Sequence, residues 1–266
     1  MTSLPEIASA NAANYQGRAA SFARWADGAE AHPAAAVRGI FLRNLPRRKS
    51  TPQDKLRVLD LGCGNGRDLA VFAGDPQGNA DSIDAVGIDV CEQFCAMART
   101  RVPHARVVCA DVTAGLKAAL GHGGGGGGGG GDGDAPFHGV FALCSLFHVP
   151  RRALPALCAE VFALLAPGGA FLCSFPHSGQ GATDDAGGDG RWHTSMPFAD
   201  LRALLTGAGF DVDLTSGCFP KAVQIYNGTW DVVVGRRPLP PSEHPKGERL
   251  LHRDARFDVD AYERRR

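Results

Sequence analysis

Asp60, Gly62, Gly64 and Gly66 fall within the stretch VLDLGCGNGRDL, where an apolar run ends in an acid and three glycines alternate before a helix restarts near Arg67. Bare backbone at those positions lets a ligand approach the chain, and the first amides of the following helix offer donors at a positive dipole end. A polar or anionic ligand group is therefore expected at this turn. The glycine order narrows the choice. Dinucleotide sites read G-x-G-x-x-G, whereas this turn reads G-C-G-N-G and follows Asp60, which would repel a pyrophosphate. The same carboxylate suits a cationic amino group, such as the ammonium of a methionine moiety.

Two further acids continue the pattern. The run DAVGID ends in Asp89, where a carboxylate at the tip of the neighbouring strand can accept hydrogen bonds from ribose hydroxyls. The run ARVVCAD ends in Asp111, placed to reach an adenine amino group. Three successive strands ending in aspartate form a row along a sheet's carboxyl edge, where open α/β sheets bind ligands. Each acid also has a local role open to it, since aspartate ahead of VCEQFC or VTAGLKAAL is a favoured helix cap.

The elements that must position these groups alternate. Short β-rich runs LRVLDL, DAVGID, ARVVCAD, GVFALCS and GAFLCSF are separated by helical stretches GRDLAVFA, CEQFCAMARTR, TAGLKAAL and PRRALPALCAEVFALLA, the signature of a parallel sheet covered on both faces. After the helix-like FADLRALLTGAG, the runs FDVDLTSG and TWDVVVGRR are linked too briefly for a helical crossover and are expected to pair antiparallel. Residues 1–54 read as one or two helices, NYQGRAASFARWAD and PAAAVRGIFLRNL, followed by the polar connector RRKSTPQD. Residues 55–236 form the core domain, with a flexible glycine-rich insertion at 123–134. The tail at 237–266 is rich in proline and charge and is expected to be disordered, docking at most by Phe257 and Tyr262.

Composition excludes several classes. Lys plus Arg equals Asp plus Glu, so the chain lacks the basic surplus of a dedicated nucleic-acid binder. No apolar run approaches the ~18 residues of a membrane span, and the start MTSLPEIASANAANYQ has no signal-peptide pattern, so a cytoplasmic protein without a membrane partner is expected. The eight cysteines lie singly in strand-like and helix-like segments, as small buried hydrophobes of a reducing compartment do. Cys91 and Cys95 lack further ligands at finger-like spacing, so no metal site is expected. A monomer or homodimer is the expected assembly.

The motifs VLDLGCGNG, VGIDV, VVCADV, FHGVFALCSLFHVPRRALPALCAEVFALLAPGGAFLCSF and AGF together resemble those of the class I S-adenosylmethionine-dependent methyltransferases, from about residue 56 to 235. GRDL, SLFHVPRRALP and LAPGG resemble a group of small bacterial-type members. The resemblance implies a Rossmann-like α/β fold: a seven-stranded sheet with the last strand antiparallel and helices on both faces. It places Asp60 beneath the methionine part of S-adenosylmethionine, with Gly62, Cys63, Gly64 and Gly66 as its wall. Asp89 and Val90 then hold the ribose, Asp111 and Val112 flank the adenine, and the segment Leu143 to His148, with Cys144 in it, lines the methyl-donor side. Tyr15 and Arg18 resemble the helix that lids the cofactor in relatives.

His148, in LFHVP, is a candidate general base or a loop-fixing histidine. His177 and His193 lie in the long SFPHSGQGATDDAGGDGRWHTSM loop over the expected substrate side, with Trp192 as a substrate contact or a hydrophobic anchor and His193 as a second substrate candidate. The implied reaction is methyl transfer to an O, N, S or C nucleophile. Adenine and cytosine methylases carry an Asn/Asp-Pro-Pro-aromatic tetrad where this chain reads ALCSLFH, and neither the paired glutamates of arginine methylation nor the carboxylates of Mg²⁺-dependent catechol methylation are present. A small-molecule substrate remains. Two rival readings are a nicotinamide-dependent oxidoreductase, opposed by Asp60 and the glycine spacing, and a catalytically silent methyltransferase-like partner subunit.

Overall fold

The computed structural model describes residues 2–28, 33–46, 55–74, 83–121, 135–178, 183–212, 223–225 and 228–241. The connector at 47–54, the glycine run and the tail from 242, with Phe257 and Tyr262, lie outside the described residues.

Three helices come first: α1 (Leu4–Gln16), α2 (Ala19–Gly28) and α3 (Pro33–Asn44). NYQGRAASFARWAD, expected as one helix, is divided between the end of α1 and α2, and α1 starts ten residues before Asn14, where Ser3 and Glu6 form a reciprocal capping box: the Glu6 amide donates to Ser3 Oγ and the Ser3 amide to Glu6 Oε2 at 2.8 Å. The alternating core follows as β1 (Leu56–Leu61), α4 (Arg67–Ala73), β2 (Ile83–Asp89), α5 (Glu92–Arg101), β3 (Arg106–Cys109), α6 (Leu116–Ala119), β4 (Phe137–Ala142), α7 (Leu154–Leu164) and β5 (Leu165–Pro176). A hairpin of β6 (Thr183–Ala186) and β7 (Trp192–Ser195) precedes α8 (Phe198–Gly207), and the chain closes with β8 (Val223–Ile225) and β9 (Gly228–Arg236).

The main sheet has seven strands in the order β3-β2-β1-β4-β5-β9-β8. Neighbours from β3 to β5 pair parallel, and β9 runs antiparallel to both β5 and β8, so six strands share one direction and β9 opposes them. This is the Rossmann-like α/β arrangement that the motif order implies. Strand order reverses between β1 and β4, and that reversal opens a crevice beyond their carboxyl ends.

Two details differ from the sequence reading. The last strand pairs antiparallel with the unforeseen β8 as well as, through a bridge of Asp211 with Arg236, with the start of FDVDLTSG, whose residues 213–217 lie outside the described residues. The long loop after β5 contains the antiparallel pair β6–β7, with Thr183 opposite Ser195 and Ala186 opposite Trp192. Its turn is closed by the Gly187 amide on the Arg191 carbonyl at 2.7 Å, with Gly190 at φ +79°.

Under the sheet, Phe41 of α3, Phe72 of α4 and Phe141 of β4 meet with ring centroids 5.1–5.4 Å apart, all fully buried. This cluster fastens two helices to the strand that ends at the crevice. Phe141→Ala is expected to lower the free energy of unfolding by about 3–5 kcal/mol, read from urea titration; a loss below about 1 kcal/mol would show that the cluster does not key these elements together.

Candidate active site

The glycine turn is held by β2. The amides of Gly62 and Cys63 both donate to the Ile88 carbonyl, at 2.7 and 3.1 Å, and the Gly64 amide donates to Asp89 Oδ2 at 3.0 Å. Gly62 adopts φ +76°, and a Cβ there would lie 2.3 Å from Ser145 Cβ, so the ends of β1 and β4 close on each other only because this residue has no side chain. Ser145 Oγ in turn donates to the Leu61 carbonyl at 2.6 Å.

Asp89 binds two backbone amides at once, Gly64 through Oδ2 and Cys91 through Oδ1 at 2.9 Å. Burial pushes its carboxyl above the ordinary range, and those two amides pull it back toward the charged form. Each oxygen keeps a lone pair for a ligand hydroxyl. Asp111 accepts from the Thr113 amide at 2.8 Å as the cap of a short 3-10 turn, so the cap and ligand readings of this residue coexist geometrically.

Asp60 lies beneath the turn. Its carboxylate is buried, and Oδ2 has no hydrogen-bond partner among the described residues. Burial raises its pKa well above the carboxylate range, and the nearby Asp68 charge adds to the rise. Asp68 itself is held by Arg38 at 2.5 Å and Arg67 at 2.8 Å. An orphaned acid oxygen under a glycine cradle fits a ligand that brings a cationic donor.

One cavity gathers most of the expected residues. Gly62, Gly64, Asp89, Val90, Asp111 and Val112 line its sheet side; Cys144, Ser145 and His148 line it beyond β4; Asn11 and Tyr15 of α1 form the roof. Cys144 takes the left-handed conformation at φ +52°, with its amide fixed on Ser174 Oγ at 2.8 Å. Asp60, Cys63, Gly66, Arg18, Trp192 and His193 are not among the cavity-lining residues. Arg18 contacts the Asn14 carbonyl, the Trp192 indole donates to Asp184 at 2.7 Å, and His193 pairs with Asp189 at 3.0 Å.

The roof is fastened by groups that sequence reading missed. Asn11 accepts from the Trp192 amide at 2.8 Å and donates to the His148 carbonyl at 3.1 Å. Arg191 donates to Tyr15 Oη at 2.5 Å and is itself held by Asp189. His148 must donate through Nδ1 to the Trp192 carbonyl, 2.7 Å away, so its Nε2 accepts the Tyr15 hydroxyl proton at 2.8 Å. Burial then pushes the His148 pKa from 6.5 down to about 3, and the Arg191 charge adds to the drop. Asn11 and Arg191 carry no local motif; only the spacing of three polar residues on α1, Asn11, Asn14 and Tyr15, hints at a polar face.

Among the described residues no three His, Cys, Asp or Glu side chains gather as a metal site. A family model described as a methyltransferase domain matches residues 30–215. The chain belongs to that family, within the class I S-adenosylmethionine-dependent methyltransferases. No curated protein sequence matches this methyltransferase significantly. Its fold is similar to that of the Burkholderia thailandensis 1,6-didemethyltoxoflavin-N1-methyltransferase, solved with 1,6-didemethyltoxoflavin and S-adenosylhomocysteine, at 21% identity and TM-score 0.62 over 90% of this chain and 92% of that one. The DhpI–SAH complex aligns at 19% identity and TM-score 0.57, over 88% of this chain and 98% of that one. A TehB-like SAM-dependent methyltransferase from Corynebacterium glutamicum aligns at 16% identity and TM-score 0.53, over 83% and 98%. No helix among the described residues is long and apolar enough to cross a membrane.

Two predictions follow from the geometry of this site. Gly62→Ala is expected to destabilise the methyltransferase by about 1–3 kcal/mol in urea, through overpacking against Ser145 and a disfavoured φ; an unchanged midpoint would mean that the β1 and β4 ends separate freely. The second concerns pH. Because the unfolded chain protonates at His148 near pH 6.5 and the folded chain resists until about pH 3, unfolding becomes easier as pH falls through that window. The raised pKa values of Asp60 and Asp89 act in the opposite direction and are common to wild type and variant. Denaturant midpoints of wild type and His148→Gln should therefore diverge with pH, the wild type losing more on acidification; parallel curves would show that His148 titrates normally in the folded protein.

Proposed function

We propose that this methyltransferase moves the methyl group of S-adenosylmethionine to an O, N, S or C nucleophile of a small molecule. The observation that carries the reading is the cavity itself: Asp89, Asp111 and the glycine turn form its floor, and Asn11 and Tyr15 of α1, held from outside by the β6–β7 hairpin, form its roof. A polymer would have to displace that roof, whereas a small acceptor fits beneath it. The Burkholderia neighbour, solved with 1,6-didemethyltoxoflavin, supports this choice.

Bound S-adenosylmethionine supplies an already activated methyl group, so the protein's task is alignment and exclusion of water. Asp89 offers its free lone pairs to the ribose hydroxyls, with Val90 beside it. Asp111 and Val112 bound the adenine. Gly62 and Gly64 give the backbone room that the amino-acid end requires, with the orphaned Asp60 oxygen buried beneath the turn as an acceptor for a cationic donor. Cys144, in its left-handed conformation, shapes the wall on the methyl side. His148 works as a post that fixes Tyr15 and the roof, because both of its ring nitrogens are committed to hydrogen bonds and burial keeps it neutral.

Calorimetric titration with S-adenosylmethionine, S-adenosylhomocysteine and NAD in parallel tests the cofactor assignment. Binding of the first two and none of NAD is expected, and Asp89→Ala should weaken S-adenosylmethionine by at least ~1 kcal/mol, the size of a lost hydrogen bond to a charged acceptor. An unchanged dissociation constant in that variant would remove Asp89 from the site. Transfer of labelled methyl groups into the small-molecule fraction of a cell extract tests the substrate class, and binding without any transfer would point to a silent subunit.

A further inference from the structure

Methyl transfer to a neutral N–H or O–H group releases a proton, and the cavity's own histidine is poorly suited to take it. The Nε2 lone pair of His148 already holds the Tyr15 proton, and its other nitrogen is tied to the Trp192 carbonyl. Among the described residues four other histidines remain. His104 precedes β3 and His138 lies at the start of β4, both toward the amino ends of the strands, away from the crevice. His193 spends its Nε2 on Asp189. His177 is different.

His177 directly follows β5, three residues past the Ser174 hydroxyl that holds the cavity-lining Cys144; it is not itself a lining residue, but it stands on the same carboxyl edge of the sheet, beside the methyl-side end of the cavity. Its Nδ1 lies 3.0 and 3.2 Å from the two carboxylate oxygens of Asp231. Asp231 is buried in β9, opposite Phe175, while the His177 side chain is 45% exposed. A buried carboxylate on Nδ1 fixes that nitrogen as the donor and leaves Nε2 as the exposed lone pair. His177 also bridges Met196, just past β7, which joins it to the hairpin that holds the roof helix α1. The buried acid therefore orients a histidine whose free nitrogen has no structural duty of its own.

We propose that His177 and Asp231 form the general-base dyad for an N–H or O–H methyl acceptor, a reading that rests on the small-molecule methyltransferase function above. The acceptor's lone pair forms the new bond to the methyl carbon. The electrons of the breaking carbon–sulfur bond return to sulfur, giving neutral S-adenosylhomocysteine. The acceptor's proton goes to His177 Nε2, and the imidazolium so formed is balanced by the Asp231 carboxylate before it releases the proton to water. Asp231 is a positioning residue in this scheme, and His177 the catalytic one.

The test is transfer of tritium from methyl-labelled S-adenosylmethionine into the small-molecule fraction of a cell extract by the full chain, with S-adenosylmethionine affinity and melting temperature measured on the same preparations. His177→Gln should cut transfer by about 100-fold or more, the usual contribution of a general base, while cofactor affinity stays within about twofold. Added imidazole should restore part of the transfer in His177→Gly, a rescue that a purely structural role would not show. Asp231→Asn should lower transfer in the same direction and move its pH profile. Wild-type transfer accompanied by near-wild-type transfer in His177→Gln overturns the dyad alone. Cofactor binding without transfer by the wild type overturns the small-molecule reading, and the dyad with it.

Discussion

The carboxylate of Asp89 is the joint on which the site depends. By accepting the Gly64 and Cys91 amides together, it ties the turn after β1 to the turn after β2. Two loops from different crossovers thereby share one rigid edge. Removing this side chain would leave the Gly64 and Cys91 amides without their acceptor at once, which is why one residue can govern the shape of a wall built almost entirely from backbone. The glycine turn can then be bare without being loose: Gly62 is pinned by the Ile88 carbonyl behind it and by Ser145 beside it.

A second set of interactions works from the opposite side. Asn11 and Tyr15 reach from α1 to the backbone and ring of His148 and, through Arg191 and the Trp192 backbone, to the β6–β7 hairpin. The direction of every hydrogen bond around His148 is forced by its neighbours, since a guanidinium only donates and a carbonyl only accepts. Such a network orders polar groups without a net charge on the imidazole. The floor of the site is thus electrostatic and acidic, and its roof is a neutral relay anchored by one Arg–Asp pair.

Much of this architecture was legible in the chain. Parallel strands buried on both faces must be continuous apolar runs, so LRVLDL, DAVGID and GVFALCS stand out in the sequence, and Asp60, Asp89 and Asp111 at successive strand ends mark one edge. The start of α1 is also written locally, in Ser3, Pro5 and Glu6, a cap that the reading of a helix from Asn14 omits. The β6–β7 hairpin was not readable, because Asp184, Asp185 and the glycines around them have low strand propensity, and the pairing is held by contacts of Asp184 with Arg151, Trp192 and Thr194. The same holds for His148: its type and place suggested a base, whereas its two partners lie 133 and 44 residues away in sequence and decide otherwise.

Those sequence separations have a consequence for how the chain assembles. The roof helix α1 is synthesised before its partners, yet its contacts to His148, Arg191 and Trp192 span 137, 176 and 181 residues. Loop closure over such distances is slow compared with formation of the helix itself, and α1 buries only Ile7 and Asn11 on its own account. The helix therefore waits undocked until the sheet and the hairpin exist, and the cavity's last wall to arrive is the first one made.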